Sequence, residues 1–243
     1  MRYRVRARGR RFSPRDIYAG RCHCLTAGAP KWDHRSQAKT SCGAPVEATE
    51  VEKIMKLLIA SDIHGAAQWC ARLMDAIDAE QPDRVVLLGD LLYHGPRNDL
   101  PADYAPKEVV AMLNGIADRV ICVRGNCEAE VDQMVLDFPC MADYDVLWDP
   151  QAPNPHAAGA GRELFLTHGH VWGPGIHNSV DHMPTLPAGA AMVYGHTHKK
   201  INQQSEANPA VWCFNPGSVG IPKDGSHSFG LYVDGAFQHC ILG

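Results

Sequence analysis

Seven residues able to hold a metal ion recur at one kind of place in this sequence, just past the end of a short apolar run. Asp62 and His64 close the stretch Leu57-Leu58-Ile59-Ala60-Ser61, and Asp90 follows Val85-Val86-Leu87-Leu88-Gly89. Asn126 comes after Val120-Ile121-Cys122-Val123-Arg124-Gly125, and His168 after residues 163–167. His196 and His198 close Ala191-Met192-Val193-Tyr194-Gly195. A lone Asp or His in such a position is ordinarily a cap or turn residue. Seven together, five of them directly beside a glycine, point elsewhere. They offer oxygen and nitrogen without a thiolate, the donor set for two adjacent divalent ions such as Mn, Fe or Zn, with one carboxylate bridging and positions left for water and substrate. That chemistry suits the hydrolysis of phosphate esters. The i, i+2 spacing of Asp62 and His64 predicts that both side chains leave the strand end on the same side.

The elements that must present these residues follow from apolar periodicity. Helices are predicted over residues 68–80, with Trp69, Leu73, Ala76 and Ile77 on one face, and from Pro106, with Val109, Val110, Met112, Leu113 and Ile116 buried. Between and after them, residues 57–60, 85–88 and 120–123 read as fully apolar strands of a parallel sheet. The resulting β-α-β-α-β series brings every strand's C-terminal end to one edge, where open α/β sheets bind ligands. Beyond Cys127 a helix is expected near 128–136, then strands near 145–148 and 163–167, separated by a Pro, Ala and Gly stretch over 149–161 that reads as a mobile loop. Strands near 192–194, 201–204, 211–214, 230–234 and 237–241 read as a meander forming a second sheet packed on the first.

Charge divides the 243 residues unevenly. Residues 1–54 hold 12 Lys and Arg against 5 Asp and Glu, the remainder 11 against 22. The basic first segment has no apolar period and is expected to be a disordered extension, with Met55-Lys56 as a natural start of the domain spanning 55–243. Its Cys22-His23-Cys24, with His34 and Cys42, lacks the second tight pair of a zinc finger. The acidic body argues against a broad nucleic-acid surface. No run is long enough to span a membrane and no apolar segment follows the first arginines, so a cytoplasmic protein is expected. Nine scattered cysteines, an odd number, fit reduced thiols.

Asp62-x-His64-Gly65, Gly89-Asp90, Gly125-Asn126, His168-Gly169-His170 and Gly195-His196-Thr197-His198 resemble, in order, the motifs of the calcineurin-like metallophosphoesterases. His94-Gly95-Pro96-Arg97-Asn98, Arg124-Gly125-Asn126-Cys127 and Asn215-Pro216-Gly217-Ser218 are most similar to its YfcE-type bacterial phosphodiesterases. The resemblance covers the chain from Met55 nearly to its end. It implies a four-layer α/β/β/α sandwich of two mixed sheets and a dinuclear, usually manganese-dependent site, with zinc or iron as other candidates. One ion would be held by Asp62, His64 and His198, the other by Asn126, His168 and His196, with Asp90 bridging and a metal-bridged hydroxide attacking phosphorus. His170 is not a ligand in this pattern and is left to a packing role or a substrate contact.

Two departures from the family bear on substrate. Cys127 stands where family phosphomonoesterases carry a histidine that protonates the leaving group, and His94 where protein phosphatases carry a phosphate-clamping arginine. Arg97 is the candidate replacement. A small phosphodiester is therefore the expected substrate; the alternatives are a phosphomonoesterase of the same fold and a non-catalytic scaffold, which the intact ligand set disfavours. Self-association is left open. His177, His182, His227 and His239, outside any motif, read as loop or surface residues.

Overall fold

A computed structural model describes residues 54–154, 160–174 and 181–243. The calls on residues 1–53, with the Cys22, Cys24 and Cys42 region, and on His177 lie outside them. The elements run β1 (Lys56–Ala60), α1 (Ala67–Glu80), β2 (Arg84–Leu87), α2 (Pro106–Asn114), β3 (Val120–Cys122), α3 (Glu130–Gln133), β4 (Tyr144–Pro153), β5 (Ala160–Thr167), β6 (Gly173–Pro174), β7 (Asp181–His182), β8 (Ala191–Val193), β9 (Lys200–Gln204), β10 (Trp212–Pro216), β11 (Ser228–Val233) and β12 (Ala236–Ile241). Two five-stranded mixed sheets result, ordered β12-β11-β1-β2-β3 and β4-β5-β8-β10-β9.

The unbroken apolar runs are explained by burial on both faces. In β1, Leu57 and Ile59 join Val86, Leu88, Leu164, Leu166, Val193 and Phe214 in a core between the sheets. Leu58 and Ala60 point the other way, with Val85 and Leu87, onto Cys70, Leu73 and Ile77 of α1 and Val109 and Leu113 of α2. Each such aliphatic side chain contributes roughly 1.5–3 kcal/mol on burial. A third cluster, Phe165, Met192 and Cys213 with Leu186, Trp172 and Met183, covers the outer face of the second sheet with irregular chain. The N-terminus of α1 has no local cap, and Asp103 supplies one from a distance, its Oδ2 accepting from Gln68 N at 2.8 Å.

Three expectations are corrected. β11 and β12 do not extend the second sheet: β11 pairs antiparallel with β1 in register Leu57↔Tyr232 and Ile59↔Gly230, giving β1 a hydrogen-bonded neighbour on the side away from β2. The stretch after Asp149 is not simply a loop, because β4 continues to Pro153 and pairs with β5 from Ala160, Pro153 opposite Ala160; residues 155–159 lie outside the described set. The helix expected over 128–136 shrinks to the single turn of α3, because Glu128 is turned inward by contacts described below. Among the described residues no helix is long and apolar enough to cross a membrane.

Candidate metal centre

All seven residues gather at one edge, on the loops after β1, β2, β3, β5 and β8. They do not converge through the strand pleat. Asp62, His64, Asp90, His196 and His198 all have left-handed backbones, with φ of 56, 50, 55, 65 and 58°. Such conformations in non-glycine residues are held only where the surroundings over-determine them. Here the loops are laced together. Asp62 N donates to Gly89 O at 3.1 Å, His64 N to Asp90 O at 2.9 Å and Gly65 N to Leu91 O at 2.9 Å. Gly89, at φ 90°, lets the β2 and β3 loops touch, since a Cβ there would lie 2.3 Å from Gly125 N.

The imidazoles are oriented by the backbone. His64 Nδ1 donates to Tyr93 O (2.7 Å), His168 Nδ1 to Leu88 O (2.6 Å) and His198 Nδ1 to Ile221 O (2.7 Å). Each Nε2 is thereby left facing the centre. His64 Nε2 lies 3.3 Å from His198 Nε2, and Asp62 Oδ1 lies 3.6 and 3.2 Å from these two nitrogens. That carboxylate oxygen is fully buried and has no hydrogen-bond partner. Asp62 Oδ2, by contrast, accepts from Ser61 Oγ (2.6 Å) and His196 N (3.0 Å). A second cluster lies beside it: Asn126 Oδ1 and His196 Nδ1 are each 3.2 Å from His168 Nε2. Asp90 stands between the two, with Oδ2 3.6 Å from His64 Nε2 and 3.5 Å from His168 Nε2.

Ring nitrogens and carboxylate oxygens facing one another at these distances call for positive charge, from protons or from metal ions. Burial disfavours charge on Asp90, yet His168 beside it holds its carboxyl down at about 2; His198 likewise keeps Asp62 well below the usual range despite burial. Burial also opposes charge on His168, but Asp90 lifts it to about 9, while burial and the charge of His168 push His196 down to about 4. The donor set, the buried partnerless Asp62 Oδ1 and the backbone-fixed ring orientations fit divalent ions. Ligand atoms of Asp62, His64 and His198 lie mutually within 4.8 Å, as do those of Asp62, Asp90 and His168, and those of His64, Asp90 and Cys127. The Cys127 thiol is pushed up by burial and by Asp90.

A polar cleft of about 440 Å³ opens onto Asp90, Asn126, Cys127, His196 and His198. Arg97 is exposed and lines it, as do Lys199 and Lys223, two cations with no signal in the sequence motifs. His94 does not line it: its ring packs edge-on against Tyr93 and Tyr104, and its buried Nδ1 has no partner. His170 lies edge-on to His168 with ring centroids 5.4 Å apart, and burial pushes it down to about 4. His239 is no mere surface residue, since its Nε2 donates to Asn215 O at 2.8 Å.

One supporting residue, Glu128, escaped the sequence reading, and the Asn215-Pro216-Gly217-Ser218 motif was named there without a role. Buried Glu128 accepts from the backbone N–H of Asp90 (2.9 Å), Leu91 (2.7 Å) and Gly125, tying the β2 and β3 loops together. Asn215 Nδ2 donates to Gly195 O (2.7 Å) and Thr197 Oγ1 (3.1 Å), and Ser218 Oγ to Asp62 O (2.8 Å). The Asn215-Pro216-Gly217-Ser218 motif thus braces two ligand loops. Glu128, an acid three residues after Gly125, carried no comparable signal.

Fold and centre together define a phosphoesterase of the calcineurin-like kind, and the pattern of the calcineurin-like phosphoesterase superfamily domain matches residues 55–234: the chain belongs to that superfamily, whose members bind divalent metal ions. It is 43% identical over 180 residues to the phosphodiesterase YfcE of Escherichia coli strain K12, covering 73% of this chain and 87% of that protein. The solved structure of YfcE, a phosphoesterase from E. coli, superposes with a TM-score of 0.64 at 38% identity, over 78% of this chain and all of that one. A metallophosphoesterase from Sphaerobacter thermophilus, at 18% identity and a TM-score of 0.50 over 79% of this chain and 89% of its own, shares the fold.

Proposed function

We propose that the protein is a metal-dependent phosphodiesterase with a dinuclear centre, one ion held by Asp62, His64 and His198, the other by Asn126, His168 and His196, and Asp90 between them. The observation that carries the reading is the set of inward-facing Nε2 atoms, each fixed by an Nδ1–H···O=C bond, converging on carboxylate oxygens of which one has no partner. The relatives' name and the matched family support it. Two bound divalent ions, manganese foremost, would supply Lewis-acid polarisation of the phosphoryl group and an activated water. The chain's own residues do the rest. Arg97, Lys199 and Lys223 bring positive charge to the cleft and orient the anion. Cys127, a neutral thiol beside Asn126, offers little to a departing alcohol, so esters with good leaving groups are favoured, and with His94 outside the cleft in the place of a clamping arginine a singly charged diester is favoured over a monoester dianion. All six described cysteines are free thiols, which fits a reducing compartment such as the cytoplasm.

The test pairs metal content with two esters. Protein stripped by a chelator and reloaded with Mn²⁺ is expected to bind two ions per chain and to hydrolyse bis(4-nitrophenyl) phosphate with a kcat/KM at least about tenfold above that for 4-nitrophenyl phosphate. A monoester preference would favour the phosphomonoesterase, and one ion or none would end the dinuclear reading. We also propose that residues 55–243 suffice. A chain starting at Met55 should keep the melting temperature and metal content of the full chain, and an insoluble or metal-free product would make the first segment structural.

A further inference from the structure

Next to the polar cleft lies a second cavity of about 460 Å³ with different walls. It is lined by the rings of Tyr93 and Tyr104, by Val110, Val131 and Val135, and by Cys127, and its charged groups, Lys107 and Asp132, are opposite in sign. Cys127 borders both cavities. Its Sγ packs against Gly95, where a Cβ would come within 3.1 Å, so one small side chain and a glycine form the partition.

The apolar cavity is built onto the candidate centre as well as beside it. Tyr93 turns its carbonyl to His64 Nδ1 and contributes its side chain, 42% exposed, to the cavity. Tyr104 lies over Gly65, the residue after His64, so closely that a Cβ there would meet its ring at 2.5 Å. Val131 and Val135 are 58% and 44% exposed on the facing turn, which leaves apolar surface open to solvent beside a polar cleft.

We propose that this cavity is a specificity subsite that receives one ester substituent of the substrate, an uncharged aromatic or similarly apolar group, while the phosphoryl group lies in the polar cleft. The proposal rests on the phosphodiesterase reading and deepens it. A diester has two substituents on a phosphorus that must sit within reach of Asp90 and Asn126, and Cys127 is the common boundary where a group on that phosphorus passes from one cavity to the other. A space of this size, walled by rings and branched aliphatics, admits a six-membered ring, and Asp132 beside Lys107 offsets the one positive charge that a second phosphate would meet.

Competition against bis(4-nitrophenyl) phosphate by two slow diesters, dimethyl phosphate and methyl phenyl phosphate, tests it on the manganese-loaded full chain. Methyl phenyl phosphate is expected to inhibit about tenfold more tightly. Val135→Glu and, independently, Val131→Glu should bring the ratio close to one, whereas Val146→Glu on the distant strand β4 should leave it unchanged. Equal inhibition by the two diesters in the wild-type chain, with the reporter still hydrolysed, would overturn the subsite alone. A preference that survives both cavity substitutions would do the same. So would a Val135→Glu chain that loses self-association in sedimentation while keeping the preference, since a second copy would then be the occupant. Failure of the metal-loaded chain to hydrolyse the reporter would overturn the phosphodiesterase reading and the subsite with it.

Discussion

Replacing Asp90 with asparagine lowers turnover by more than about 10²-fold and reduces the metal bound per chain, while Arg97→Ala costs at most about tenfold and leaves metal content unchanged. The asymmetry follows from position. Asp90 is 2% exposed, one carboxylate oxygen accepts from Cys127 N at 2.8 Å, and the other faces His64 and His168 at 3.5–3.6 Å. An amide there is almost isosteric but removes the charge between two proposed dications and presents an N–H to one of these neighbours. Arg97 sits in solvent on the cleft wall, where the charge is screened and two lysines stand near the same space. Metal analysis and steady-state kinetics on the two variants decide the matter. Equal, mild losses from both would argue against Asp90 as the bridging group.

Glu128→Ala is expected to have the largest effect on stability of any single change near the centre. Its carboxylate takes backbone N–H groups from Asp90, Leu91 and Gly125, in a position only 8% exposed. Truncation leaves three donors without an acceptor in a site that water reaches poorly. At about 1–3 kcal/mol for each orphaned group the loss is at least about 3 kcal/mol, or a fall in melting temperature on the order of 10 °C. Because the freed loops carry Asp90 and Asn126, metal affinity should fall too, by roughly 10- to 100-fold. Glu128→Gln keeps one acceptor oxygen and should fall between. Thermal unfolding of metal-free protein separates the two effects, and an alanine variant melting within about 2 °C of the parent would show that the loops hold without this carboxylate.

What could be read in the sequence was whatever repeats with a period. The runs Leu57–Ala60 and Val85–Leu88 are apolar at every position because both faces of β1 and β2 are buried, and that leaves an unmistakable trace. The ligand candidates stood out because polar residues directly after such runs need a reason. How they converge was not legible. The i, i+2 spacing of Asp62 and His64 suggested a shared strand face, but turns of left-handed backbone bring them together, and only the loops around them impose that. The placement of β11 beside β1 was hidden for a similar reason, since the largely apolar run Ser228–Val233 says that a strand exists and nothing about its partner. Glu128 was missed because it works through main-chain N–H groups, which every residue has.

The five left-handed positions proposed to hold metal also shape how this fold can drift. Each forces a side chain onto a backbone that glycine or asparagine occupies with less strain, at a cost of roughly 1–3 kcal/mol in residues such as histidine. Glycine or asparagine there eases the backbone even as it dismantles the candidate centre. The balance differs among the five, because Asp62, His64, Asp90 and His198 also bond the neighbouring main chain and would forfeit that bond, whereas the ring of His196 faces that of His168 instead. A lineage released from selection on turnover would therefore lose His196 at least cost to its two sheets, and the domain could persist as a shell for work that needs only a surface.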